Sequence, residues 1–203
     1  MLDIQSILLF LGVLLVSATL HEMMHAYIAL RLGDDLANAH GRISFNPFVH
    51  IDPILTIALP ALLLLLGQPP ILAAKPVPIN TSRLQGGELG MAAVGISGPL
   101  VNLAIAFIAG AVLQVTDLSG IALTIGELFV LVNVGLFVFN MLPIPPLDGS
   151  RVLYAVAPPG LQSIMRQMES FGIFGLILIL TLAYPVIAPI LTTMREFVLR
   201  LVV

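Results

Sequence analysis

QSILLFLGVLLVSATLHEMMHAYIAL, residues Gln5 to Leu30, is the stretch whose reading decides the fold. From Gln5 to Leu20 it carries no charge, and then it runs straight into His21, Glu22 and His25. At 1.5 Å per residue, a helix of this length is long enough to cross a bilayer core of roughly 30 Å. On that helix, positions i and i+4 share a face, so His21 and His25 turn two imidazoles toward one point, with Glu22 beside them. HExxH on a helix is the spacing that holds one zinc ion and gives its water a general base. An ionisable side chain at membrane depth is expensive, roughly 2.5 to 3.5 kcal/mol for an Asp on insertion scales, so such groups need a function or a buried partner.

Composition agrees with a membrane reading. The chain has 203 residues, 59% hydrophobic and 9% charged, too little polar surface for an ordinary water-soluble domain. A net charge of −3 leaves no electrostatic footprint for nucleic acid. With no cysteine, the metal donors are restricted to His, Asp and Glu. The first twenty residues lack a basic leader and a small-residue cleavage site, so they read as a retained helix.

Four segments are long enough to span: Ile7 to Leu30, Leu89 to Val115, Ile121 to Leu142 and Phe171 to Leu191. A fifth, Pro53 to Ala74, is uncharged but interrupted by Pro53, Pro60, Pro69 and Pro70, and reads as either a full span or a re-entrant hairpin. The third metal ligand decides between them. Asp148, in NMLPIPPLDG after the segment Ile121 to Leu142, is the best candidate. It reaches the membrane face of the histidines only if Pro53 to Ala74 returns to the side it left. Arg31, Arg42, Lys75, Arg83, Arg151 and Arg166 then all fall on that side, and the turn Thr116 to Gly120 on the other has no Lys or Arg, which makes the histidine side cytoplasmic. The fold expected is an all-α polytopic membrane protein, residues 1–203 forming a single membrane-embedded domain. It has about four transmembrane helices, a re-entrant apolar hairpin and short loop strands. Those strands are expected in FNPFVHIDP and AKPVPIN, where an exposed edge could pair with an extended peptide.

HEMMH in the first helix, GPLVN at Gly98 to Asn102 and NMLPIPPLDG at Asn140 to Gly149 together resemble the site-2 protease family of intramembrane zinc metalloproteases. FNPFVHIDP and AAKPVPIN resemble its compact bacterial and archaeal branch, which lacks PDZ and CBS domains. The resemblance covers most of the chain. It implies His21, His25 and Asp148 as ligands of one Zn²⁺ per chain and Glu22 as the catalytic base. It also implies transmembrane proteins as substrates and a multi-pass location in a prokaryotic cell membrane. With three protein ligands, a fourth position stays open for the water whose proton Glu22 takes.

Three further residues have two readings each. Asn140 could hydrogen-bond the substrate or the developing oxyanion, or make an interhelical polar contact. Asn102 could support the transition state, or bond between helices packed closely at Gly98 and Pro99. His50 could line the cleft or serve its own loop. Lys75 reads as an interfacial anchor and Gly149 as the residue that permits the turn at Asp148. Two other classes of function share part of this pattern. A zinc transporter would distribute its ligands along a path, whereas these converge on one site. A catalytically silent protein that binds membrane helices would have no use for Glu22.

Overall fold

The computed structural model describes residues 4–58 and 74–202. The helix expected from the opening stretch is α1, Ile4–Arg31, ending where Gly33 takes a left-handed φ of 98°. A short helix α2, Leu36–Ala39, follows. The long apolar stretches after residue 86 form α3, Gly87–Val115, and α4, Gly120–Asn140. At 1.5 Å per residue α1, α3 and α4 are about 42, 44 and 32 Å long, each sufficient to cross a membrane. Their outer faces carry exposed Ile7, Leu8, Leu11, Leu100, Ile108 and Leu131. Such faces are stable against lipid and a liability in water.

Along α1, Val13, Ser17, His21, His25 and Ala29 are all buried, a stripe of period four turned toward α3 and α4. Packing between α3 and α4 continues in Ala106, Val130, Val134 and Val138, which form one core with Val198 and Val202 of the last helix. Gly110 lets that last helix approach closely, since a Cβ there would lie 2.8 Å from Val202 Cγ1.

The three long helices alternate in direction, so the end of α1, the start of α3 and the end of α4 lie together. The connection is direct: the Gln85 amide, just before α3, donates to the Leu32 carbonyl at 2.8 Å. Buried Asp34 ties the same two segments, accepting from the amides of Leu36 at 3.1 Å and Asn80 at 2.6 Å. On either side of the Pro-rich stretch, the Lys75 amide donates to the His50 carbonyl at 2.9 Å. Buried Arg42 donates to the carbonyls of Val49 at 2.7 Å and Pro76 at 3.1 Å. The chain that leaves near residue 51 is therefore back at the same end by residue 75. Most of the Pro53 to Ala74 segment, residues 59–73, lies outside the described residues; its start, Pro53–Ala58, is a wide π-type helical turn.

One expectation is corrected. Among the described residues no strand forms in the loops. Asn46 caps a 3-10 turn at Pro47–His50 by accepting from the Phe48 amide, and the stretch 74–80 runs irregularly, held by single bonds and not by a ladder. Pro47, Pro76 and Pro78 have no amide to donate to a ladder. The expected fourth span, Phe171 to Leu191, falls on α7, Gly172–Leu182, and α8, Tyr184–Val202, a pair bent by 90° that together is long and apolar enough for one broken span. Pro185 explains the break, because it lacks an amide hydrogen and its ring clashes with the carbonyl four residues back. Two amphipathic helices precede it, α5, Gly149–Val156, and α6, Pro159–Ser170. Arg151 of α5 is paired with Glu169 of α6, one of the two contacts measuring 2.9 Å.

Candidate metal centre

Three side chains from two distant parts of the sequence converge where α1, α3 and the α4–α5 turn meet. His21 Nε2 lies 3.0 Å from Asp148 Oδ2, His25 Nε2 lies 3.3 Å from the same oxygen, and the two Nε2 atoms are 3.0 Å apart. The imidazole rings stand at 83° to each other, edge toward face. Both histidines are buried and Asp148 is half-buried. Among the described residues this is the one group of ionisable side chains that could hold a metal ion.

The arrangement fits zinc. Ligand atoms placed tetrahedrally around zinc, at bonds of roughly 2.0 to 2.2 Å, are separated by about 3.3 to 3.6 Å. The observed triangle is within a few tenths of an ångström of that. Two nitrogens and one carboxylate oxygen are also the donor types zinc takes when a fourth position stays open.

Local sequence explains why each donor faces inward. The i, i+4 spacing places both histidines on the buried stripe of α1. Asp148 stands directly before α5, where an Asp ordinarily caps the helix, yet its side chain makes no cap bond and turns to the histidines. The turn before it is tight. A Cβ on Gly149 would sit 2.8 Å from the Leu142 carbonyl oxygen, so glycine is required there by close approach and not by a left-handed backbone.

Helix α3 is shaped to the same centre. A Cβ on Gly98 would lie 2.7 Å from His21 Nε2 and 2.6 Å from His25 Cε1, so the absent side chain is what leaves room for the ligand nitrogens. One turn earlier, a Cβ on Gly95 would meet Arg151 Cβ at 2.8 Å and the Asp148 carbonyl at 3.1 Å. The outer ring nitrogens also find partners on α3: His25 Nδ1 lies 2.8 Å from the Val94 carbonyl and His21 Nδ1 lies 2.6 Å from Asn102 Oδ1. Gly95, Gly98 and Asn102 share one helical face, at spacings of three and four. That periodicity is the signal in the sequence that would have marked the whole face of α3 as part of the site.

Glu22 is half-buried on the turn of α1 between the two histidines. Of the three residues with two readings, Asn102 is brought to the centre, as the partner of His21. Asn140 closes α4 and donates to the Leu136 carbonyl at 3.0 Å. His50 is buried within its own loop, its Nε2 3.0 Å from the Ser44 carbonyl.

Comparison with known proteins places this constellation among relatives. The chain is 37% identical over 199 residues to "Putative zinc metalloprotease YwhC" of Bacillus subtilis, spanning 93% of this chain and 88% of that one. It is 32% identical over 169 residues to "Putative zinc metalloprotease Rip2" of Mycobacterium tuberculosis, which covers 82% of this chain and 64% of the relative. A shorter match, 38% over 60 residues, joins it to "Putative zinc metalloprotease MJ0611" of Methanocaldococcus jannaschii, 30% of this chain and 31% of that one. No family model matches the chain, and no solved structure matches it.

Proposed function

Because this chain belongs to the site-2 protease-like family of zinc metalloproteases, we propose that it is an intramembrane endopeptidase. In this reading it cleaves peptide bonds in or near the transmembrane segments of other membrane proteins, as a step of regulated intramembrane proteolysis. The observation that carries the reading is the convergence of His21, His25 and Asp148, with Glu22 alongside, inside helices whose outer faces are apolar.

His21, His25 and Asp148 would hold one zinc ion. When bound, zinc polarises the scissile carbonyl and acidifies the attacking water. Glu22 accepts that water's proton and hands it to the leaving amine, as a half-buried carboxylate within reach of solvent can. Asn140 stands on the segment that leads into Asp148, where its amide would hydrogen-bond an extended substrate backbone or the developing oxyanion. His50 would act at one remove, by holding the loop that borders the site. A substrate helix must unwind locally to enter, since its carbonyl carbons are otherwise shielded by its own hydrogen bonds.

The ties between residues 50 and 75 support a Pro53 to Ala74 segment that re-enters and returns without crossing. The centre would then lie toward the cytoplasmic face of a prokaryotic cell membrane, on the side carrying Arg42, Lys75, Arg83 and Arg151. The protein would work on transmembrane proteins within the bilayer, with no nucleic-acid partner.

The test is reconstitution of the purified chain with a reporter single-span protein in lipid vesicles. Cleavage within or beside the span by the wild type, absent with Glu22→Gln and with a chelator, is the expected result. Cleavage that persists with Glu22→Gln, or that is confined to soluble peptides, would remove the proposal.

A further inference from the structure

Behind the histidines lies a polar chain in the middle of the bundle. Ser17 of α1, Asn102 of α3 and Asn133 of α4 are each fully buried. Asn102 Nδ2 donates to Asn133 Oδ1 at 2.8 Å and approaches the Ser17 carbonyl at 3.4 Å. Asn133 Nδ2 donates to the Phe129 carbonyl at 2.8 Å and to Ser17 Oγ at 2.9 Å. Ser and Asn commonly bond across helices in a membrane bundle, and here the same bonds run on to a histidine of the centre.

The direction of every bond in this chain is determined by two backbone carbonyls. A carbonyl only accepts, so the end of Asn133 facing Phe129 must be its NH₂ group, and its oxygen must face Asn102. Asn102 therefore turns its own NH₂ toward Asn133 and the Ser17 carbonyl, which leaves its oxygen facing His21. A carboxamide oxygen also only accepts. His21 Nδ1, 2.6 Å away, must then carry a proton, so that in the neutral ring Nε2 carries the lone pair. His25 reaches the same state by a different route, since its Nδ1 faces the Val94 carbonyl at 2.8 Å. With both rings neutral, the two Nε2 atoms and Asp148 Oδ2 are three acceptors directed at one another, an arrangement satisfied by a cation between them.

We propose that Asn102 is a positioning residue that fixes His21 in its Nδ1–H tautomer, and that Asn133 and Ser17 lock the carboxamide in the orientation that does so. This rests on His21 being a metal ligand. Asn102 is then not a substrate contact, and the polar seam between α1, α3 and α4 sets the donor chemistry of the centre from outside it. Without Asn102, His21 could protonate Nε2 and would have to give up that proton before binding metal. Outer partners of this kind typically change metal affinity 10- to 100-fold when removed.

The test uses the full chain in lipid nanodiscs, with zinc affinity measured by chelator competition. Nitrogen-15 spectra of the histidine rings are recorded on the metal-free protein, with His21 assigned by its absence in His21→Gln. Asn102→Leu is expected to weaken zinc binding 10- to 100-fold and to bring the Nε2–H tautomer into the His21 spectrum. Asn133→Leu keeps the His21 contact but frees the carboxamide, so a smaller loss of the same kind is expected. If Asn102→Leu does not fold, Asn102→Ala and Asn133→Leu carry the same expectations. Weaker zinc binding with an unmoved His21 tautomer would make Asn102 a packing residue and overturn the proposal, as would unchanged affinity. If the wild type binds no zinc, the metal reading fails separately. The metal-free spectra still decide on Asn102, its role standing if the tautomer shifts and falling if it does not.

Discussion

Adding one methyl group to α3 should disable the centre while leaving the helix intact. The position is Gly98, where a Cβ would stand 2.7 Å from His21 Nε2 and 2.6 Å from His25 Cε1. Ordinary carbon contacts lie near 3.5 to 4.0 Å, so the imidazoles, the helix or both must move by roughly 0.8 Å or more. Metal sites tolerate only about ±0.2 Å in ligand distance, and a misplacement of about 1 Å can cost on the order of a hundredfold in rate. Gly98→Ala is therefore expected to lower cleavage of a reconstituted membrane substrate at least about a hundredfold and to reduce bound zinc. Stability should fall far less than activity, because the preference for Ala over Gly within a helix, up to about 1 kcal/mol, offsets part of the roughly 1 to 3 kcal/mol that overpacking costs. Thermal unfolding in detergent, zinc by elemental analysis and cleavage in vesicles measure the three quantities separately. Gly12→Ala, on the same helix as the histidines but with open space around its Cβ, is the control and should retain activity. Wild-type zinc and activity in Gly98→Ala would refute the reasoning that the missing side chain makes room for the ligands.

Glu22→Gln should retain zinc and lose hydrolysis, because the amide preserves shape but cannot take the water's proton; near-wild-type turnover would exclude Glu22 as the base. His21→Ala, His25→Ala and Asp148→Ala should each lose bound zinc together with activity, and full zinc occupancy in Asp148→Ala would require a different third ligand. Asn38, Ser82 and Ser119 are exposed in a chain without cysteine. Single cysteines at 38 and 82 should react with an impermeant thiol reagent from one side of the membrane and at 119 from the other. Labelling of 38 and 82 from opposite sides would mean that the Pro53 to Ala74 segment crosses.

The convergence of His21, His25 and Asp148 was legible because its signals are local. HEMMH needs only the helix period, and Asp148 stands out as a lone carboxylate beside a glycine turn after an apolar helix. Asn102 was legible as a residue but not as a role, since its partner lies 81 positions away and a buried Asn that packs helices has the same local sequence. The loops misled because FNPFVHIDP and AKPVPIN alternate as strands do, while Asn46 offers a side-chain cap that a 3-10 turn exploits. The bend in the fourth span was overlooked for the opposite reason. Its hydropathy is continuous from Phe171 to Leu191, and only the backbone chemistry of Pro185 stops the helix there.

The hydrogen bonds that tie His50 to Lys75 and Asp34 to Asn80 make the chain between them a cassette. Both of its ends are fastened to the body that carries the histidines. Those two ties, the Asp34 carboxylate with the Asn80 amide and the His50 carbonyl with the Lys75 amide, are then what any exchange of this cassette between scaffolds would have to keep.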